Sequence, residues 1–318
     1  WARSESRLTR AFEDQVAWLL THTDRTTVST LMRITWRTAT RVLARVYRDV
    51  GTEPDRLEGL RRIGIDEISH RKGQRYLVVV VDHDTDRLVW AAEGRNDATV
   101  HAFFELLGPD RCAQITHVSA DGAKWIERPV RAHCPNATLC LDPFHVMQWT
   151  SKALDQVRRE LWNTIRGEGN KRTALALKRS RFALWKAPAR LTARQREKLS
   201  TIQRLNRPLY RAYLLKEQLR ELITKRGKPA IEMLDQWLAW AARSRLKPFV
   251  KLGRQIRAYR TELVATLEHG LTNARTEGVN TKLRLLHRLA FGFHSPEAFI
   301  ALGMLRMGGI CPQLPGRK

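Results

Sequence analysis

Residues 75–84, RYLVVVVDHD, carry an unbroken aliphatic run from Leu77 to Val81. A run this short and this apolar suits a central strand buried on both faces, so the chain must cover a sheet on two sides. The flanking sequence fits that demand. IGIDEIS (63–69) comes before the run, and RLVWAAE (87–93) follows it after the turn HDTD. NDATVHAFFELLG (96–108) has helical spacing, with Asn96 or Asp97 as its cap. A strand ITHVSAD (115–121), a helix near AKWIERPVRAH (123–133) and a strand ATLCLD (137–142) complete the series.

Three sequential strands, a helix, a strand, a helix and a strand is the order expected of a ribonuclease H-like mixed sheet. A doubly wound nucleotide-binding sheet fits less well, because only tight turns separate the first three strands. The expected fold class is thus α/β, over residues 63–150. Residues 9–50 instead carry helical periods. They read as a helix, a short second helix capped by Asp24, a tight break, and a third helix capped by Thr35. In that third helix Ala39, Val42, Val46 and Val50 would face inward, leaving Arg37, Arg41, Arg45 and Arg48 outward. This is the pattern of a helix-turn-helix whose last helix enters a major groove, although a plain three-helix cap has the same periodicity. Residues 51–62, polar with Gly and Pro, read as a linker.

Charge separates a further region. The chain holds 57 Lys and Arg against 32 Asp and Glu, a net charge of +25 that points to a polyanionic partner, nucleic acid foremost. Residues 151–272 hold 29 of the basic and 10 of the acidic residues, net +19, in amphipathic helical stretches. Arg254, Arg257 and Arg260 of RQIRAYR are candidate phosphate contacts within that block. Trp162, Trp185, Trp237 and Trp240 stand at spacings that suit a helical core, with stacking on unpaired bases as the alternative. No run of 18 apolar residues exists to cross a bilayer, and the N-terminus lacks the apolar segment of a signal peptide. Cys112, Cys134, Cys140 and Cys311 form no C-x-x-C pair and read as reduced thiols in a cytosolic protein.

Two strands place an acid after apolar residues: Asp66, followed by Glu67, and Asp121 just before Gly122. In a ribonuclease H-like sheet the first and fourth strands are neighbours, so both carboxylates would stand side by side at strand ends. Paired carboxylates repel unless a cation lies between them, and magnesium or manganese suits such hard oxygen ligands. The bland reading is that each acid caps a loop. A third acid is available in LTNARTEGVNTKLRLLHRLAFGFHS (271–295). Asn273 can cap a helix there, on which Glu277, Thr281, Arg284 and Arg288 share a polar face and Val279, Leu283, Leu286 and Ala290 an apolar one. Lys282 and Arg284 would reach phosphates. Asp142 and His145 form a bare D-x-x-H, open to a capping Asp with a packed His or to an auxiliary role.

The stretches GIDEISHRKGQRYLVVVVD, VSADGAKWI, LDPFHVMQW and NARTEGVNTKLRLLHRLAFGF resemble the DDE-type transposases of bacterial insertion sequences, specifically the ISL-three family. The resemblance covers residues 63 to about 300. It implies a catalytic, metal-binding triad of Asp66, Asp121 and Glu277, a helical insertion at 151–272, and a last catalytic part from 273 to 318. It further implies two Mg2+ or Mn2+ ions, with Asp142 and His145 beside the site. The partners implied are the double-stranded terminal inverted repeats, target DNA, and other copies of the chain as a homo-oligomer, in a nucleoid-associated cytoplasmic protein. A nuclease that only hydrolyses, or an inactive DNA-binding remnant, are the alternatives. Family members tend to begin with a cysteine-rich zinc-binding segment; the present residues have none and open on Trp1, so a longer natural chain is expected.

Overall fold

A computed structural model describes residues 1–51, 54–71, 73–290, 292–293 and 295–314, without the side chains at 54 and 55. In chain order the helices α1 (Arg10–His22), α2 (Arg25–Leu31) and α3 (Trp36–Val50) come first. The strands β1 (Arg62–Arg71), β2 (Arg75–Asp82) and β3 (Leu88–Glu93) follow. Then come α4 (Asp97–Leu107), the short α5 (Pro109–Cys112), β4 (His117–Ala120), α6 (Lys124–His133) and β5 (Thr138–Leu141). An all-helical stretch runs from α7 (Pro143–Gly167) through α8 (Lys171–Lys178), α9 (Arg181–Trp185), α10 (Ala193–Leu205), α11 (Arg207–Thr224), α12 (Gly227–Arg243) and α13 (Lys247–Ala258) to α14 (Arg260–His269). The chain ends on α15 (Ala274–Leu289) and α16 (Pro296–Met307). Two compact units result: Trp1–Leu139 with Thr272–Lys318, and Cys140–Leu271.

The first unit is built on a mixed sheet of order β3-β2-β1-β4-β5. β1 pairs antiparallel with β2, β2 antiparallel with β3, and β1 parallel with β4. The aliphatic run is buried on both faces, as expected. Val78 and Val80 join Ile63 and Ile65 under Val100, Phe103 and Phe104 of α4 and Ile126 of α6. Leu77, Val79 and Val81 join Ile68 under Val279 and Leu283 of α15 and Phe299 and Met304 of α16. Asn96 is the cap of α4, its side chain accepting from the Thr99 N–H. Of the expected linker, positions 52 and 53 lie outside the described residues, while Leu57 and Leu60 are buried in the sheet core.

Asp24 and Thr35 cap α2 and α3 through their side chains. The turn between these helices has no glycine; Arg33 takes the left-handed conformation instead, at φ 52°. Ala39, Val42 and Val46 are buried as the spacing predicts, with Leu43 beside them, and their core continues into Leu286, Ala301, Leu302 and Leu305 of α15 and α16. The helix-turn-helix therefore shares hydrophobic contacts with the helices that cover the sheet.

A buried polar chain fastens α15 to the sheet. The Ser119 hydroxyl of β4 donates to Asn273 Oδ1, and Asn273 Nδ2 donates to the Ile65 carbonyl at 3.4 Å. Asn273 stands at the cap position of α15 yet makes no side-chain cap bond, a departure from the expected cap. With its proton directed to Asn273, Ser119 Oγ accepts from His83 Nε2 at 2.7 Å, which assigns the neutral Nε2–H tautomer. Burial, with Arg275 and Arg62 adding to it, pushes the His83 imidazole down from 6.5 to about 4. Folding thus favours the neutral ring. Its contribution is complete above about pH 6.5 and drains away as pH falls toward 4. Between pH 7 and 4 the parent should lose roughly 3 kcal/mol more unfolding free energy than His83→Gln. Urea titrations at both pH values check this; parallel losses would contradict it.

Candidate active site

Asp66 lies inside β1 rather than at its end, which corrects the expected strand boundary. β1 keeps its β2 partner as far as Arg71, because the hairpin continues, whereas the registered pairs with β4 end at Gly64↔Ser119. Asp66 and Asp121 each stand two residues beyond that last pair. Side chains alternate along a strand, so Asp66 shares the face of Gly64 and Ile68, the face covered by α15. The chain turns at Gly122, φ 79°, and Asp121 Oδ1 accepts the Ala123 N–H at 2.8 Å as α6 begins. Both aspartates are half-buried.

Glu277 sits in the first turn of α15 and is also half-buried. One turn later, Asn280 is buried and its Nδ2 donates to Asp66 Oδ2 at 2.9 Å. The other oxygen, Asp66 Oδ1, accepts the Glu67 N–H at 2.8 Å. Residues three apart share a helix face, so this bond turns the Glu277 side of α15 toward β1. Among the described residues no three acidic, histidine or cysteine side chains converge closely enough to hold one metal ion. What the fold aligns is backbone: Asp66 lies inside β1, Asp121 just past the end of neighbouring β4, and Glu277 in the first turn of α15.

Asn280 lies outside the apolar face of Val279, Leu283, Leu286 and Ala290 by spacing. Its signal in the sequence is an amide bordering that apolar stripe, where burial demands a partner. The acids nearest in sequence have other partners. Glu67 pairs with Arg95 at 2.7 Å, and Asp82 caps the β2–β3 turn through the Asp84 N–H and the Thr85 hydroxyl. In the second unit, His145 Nδ1 lies 3.1 Å from Asp142 Oδ2. Asp142 is buried at the start of α7 without a side-chain cap bond.

The candidate DNA-contact cations divide into exposed and engaged groups. Arg37 and Arg41 of α3, Arg254 and Arg257 of α13, and Lys282 and Arg284 of α15 are exposed. Arg45 turns inward instead, its Nε donating to Glu13 Oε1 at 2.8 Å. Glu13 is fully buried and also meets Arg3, so Arg45 balances a buried charge and ties α3 to α1. Arg260 makes a two-pronged pair with Asp235, at 2.9 and 2.8 Å. Trp237 belongs to the core of the helical unit, its indole N–H donating to the Leu215 carbonyl at 2.8 Å, and offers no face to a base. The four cysteines are free thiols, and burial pushes those of Cys134 and Cys140 up to about 12. No described helix is long and apolar enough to cross a membrane.

Residues 63–302 match a transposase family of DDE type, and residues 1–47 match the helix-turn-helix domain of transposase family ISL3. The whole chain is 48% identical to the transposase for insertion sequence element IS1557 of Mycobacterium tuberculosis, spanning 76% of that protein. Across 94% of its length it is 27% identical to the transposase for insertion sequence element IS1001 of Bordetella parapertussis, spanning 73% of that one. With family matches at both the helix-turn-helix and the sheet with its insertion, this chain belongs to the ISL3 family of DDE insertion-sequence transposases.

Proposed function

We propose that this chain cuts DNA at the ends of an insertion sequence and joins the freed 3′-hydroxyl to target DNA, using Asp66, Asp121 and Glu277 as its catalytic carboxylates. The observation that carries this reading is the 2.9 Å bond from Asn280 to Asp66, which ties the Glu277 helix to the Asp66 strand. The antiparallel β1–β2–β3 meander with β4 parallel beside β1 supports a ribonuclease H-like sheet as the frame.

The residues suit a hard divalent cation. The donors are carboxylates, and Asn280, whose Nδ2 holds Asp66, keeps a buried Oδ1 with no hydrogen-bond partner. Asp66, Asp121 and Glu277 would hold two Mg2+ or Mn2+ ions, which when bound would activate the attacking oxygen and stabilise the leaving one. The chain's own residues prepare that chemistry. Asp66 is fixed through both oxygens, and Glu277 is carried on a helix anchored by Asn273. Lys282 and Arg284, exposed on the same helix, neutralise phosphates of the strand being cut. Asp142 and His145 form an auxiliary pair.

Binding is divided by charge and shape. Helix α3 reads base edges of the terminal inverted repeats through Arg37 and Arg41, while the basic helical unit holds phosphates of either duplex. The protein acts on DNA as a homo-oligomer, without a membrane.

Changing Glu277 to Gln keeps the side chain's shape and removes its charge. Cleavage of element ends in Mg2+ or Mn2+ should fall by roughly a thousandfold or more, and Asp66→Asn or Asp121→Asn should add little further, since the three act as one site. End binding and the circular-dichroism melt should stay near the parent's. Normal cleavage by Glu277→Gln would remove it from the triad. For the phosphate-binding cations, replacing both Arg254 and Arg257 with Ala should flatten the plot of log K against log salt by about 0.9 for each phosphate no longer neutralised. Arg260→Ala should change it less, its guanidinium being paired with Asp235. An unchanged slope in the double variant would move the DNA path off α13.

A further inference from the structure

We propose that Asn280 is a positioning residue for Asp66 that sets the affinity of the carboxylate site for its divalent cation. This rests on the reading of Asp66 as a metal ligand. Asn280 is 1% exposed on α15, between Val279 and Leu283, which are both buried in the core beneath the sheet. An apolar residue there would continue the packing, and burying an amide costs free energy unless its polar atoms are satisfied. Only one is. Nδ2 donates to Asp66 Oδ2 at 2.9 Å, whereas Oδ1 is buried without a partner.

Each half of the amide then has a use. The donating half completes a two-point grip on Asp66: Glu67 N–H holds Oδ1 and Asn280 holds Oδ2, so the carboxylate plane is fixed. Preorganised ligands bind a cation without first losing rotamer freedom. The accepting half calls for a hydrogen-bond donor, and the O–H of a cation-bound water is the donor that a carboxylate site supplies. Asn280 also lies three residues after Glu277, so any displacement of α15 shifts the grip on Asp66 and the third acid together.

The test is Mn2+ binding to the full chain, without DNA, followed by electron paramagnetic resonance. Asn280→Ala should weaken Mn2+ by about tenfold, the usual effect of removing a residue that orients a metal ligand. Asp66→Asn serves as the reference for removal of a ligand. Should Asn280→Ala bind like the parent while Asp66→Asn does not, the amide merely fills space and the proposal fails. Should Asp66→Asn itself bind like the parent, the reading of Asp66 fails first, and this proposal with it. Asn280→Leu covers the case in which the Ala variant does not fold. That variant keeps nearly the same volume beside the apolar stripe but has no donor for Asp66, so Mn2+ should raise its melting temperature less than it raises the parent's. An equal or larger rise would overturn the proposal.

Discussion

A β-carbon at position 64 would stand 2.1 Å from Thr276 Oγ1 and 2.7 Å from His83 Nε2. Helix α15 can therefore lie against β1 only because Gly64 has no side chain. The rest of the candidate site depends on that approach. It lets Asn273 reach past the first turn to Ser119 and the Ile65 carbonyl, and it brings Asn280 to Asp66. The apolar face of α15, Val279 and Leu283, then closes on Ile68, Val79 and Val81. Burial supplies most of the stabilisation there, as in any packed interface of sheet and helix. The short polar chain at the helix start selects the register in which it is gained.

The same helix serves a second layer of the unit. Leu286, two turns beyond Val279, packs with Val42, Leu43 and Val46 of α3 and with Leu302 and Leu305 of α16. The expected catalytic helix and the helix-turn-helix thus meet in one hydrophobic cluster. Side chains packed in one such cluster make α3, α15 and α16 a single layer of the unit. The buried Glu13, held between Arg3 and Arg45, keeps α1 and α3 from separating in that arrangement.

Much of this frame was legible in the residues. The aliphatic run called for a strand covered on both faces, and the period-2 and period-3.6 segments fell in the order the structure adopts. Side-chain caps were readable where a single local bond satisfies a helix start, as at Asp24, Thr35 and Asn96. Asn273 has the same residue type and position, but a tertiary partner across 154 residues outcompetes the local cap. Asp66 read as a strand end because charge follows apolar residues there. In the fold β1 loses one neighbour at that point and keeps the other, a distinction that no single-strand pattern carries. Arg45 falls on the basic face of α3 by spacing alone, and only the tertiary placement of Glu13 draws it inward. The amide at 280 was the clearest unread signal, since a buried polar residue bordering an apolar stripe needs a partner.

Convergence of three carboxylates from β1, β4 and α15 around a cation is the central claim. An anomalous-difference map from crystals soaked in manganese measures that most directly. The expected result is a peak with Asp66, Asp121 and Glu277 oxygens as ligands at about 2.0 to 2.6 Å. A manganese peak bound elsewhere, or one that leaves the Glu277 carboxylate outside its ligand shell, would contradict it.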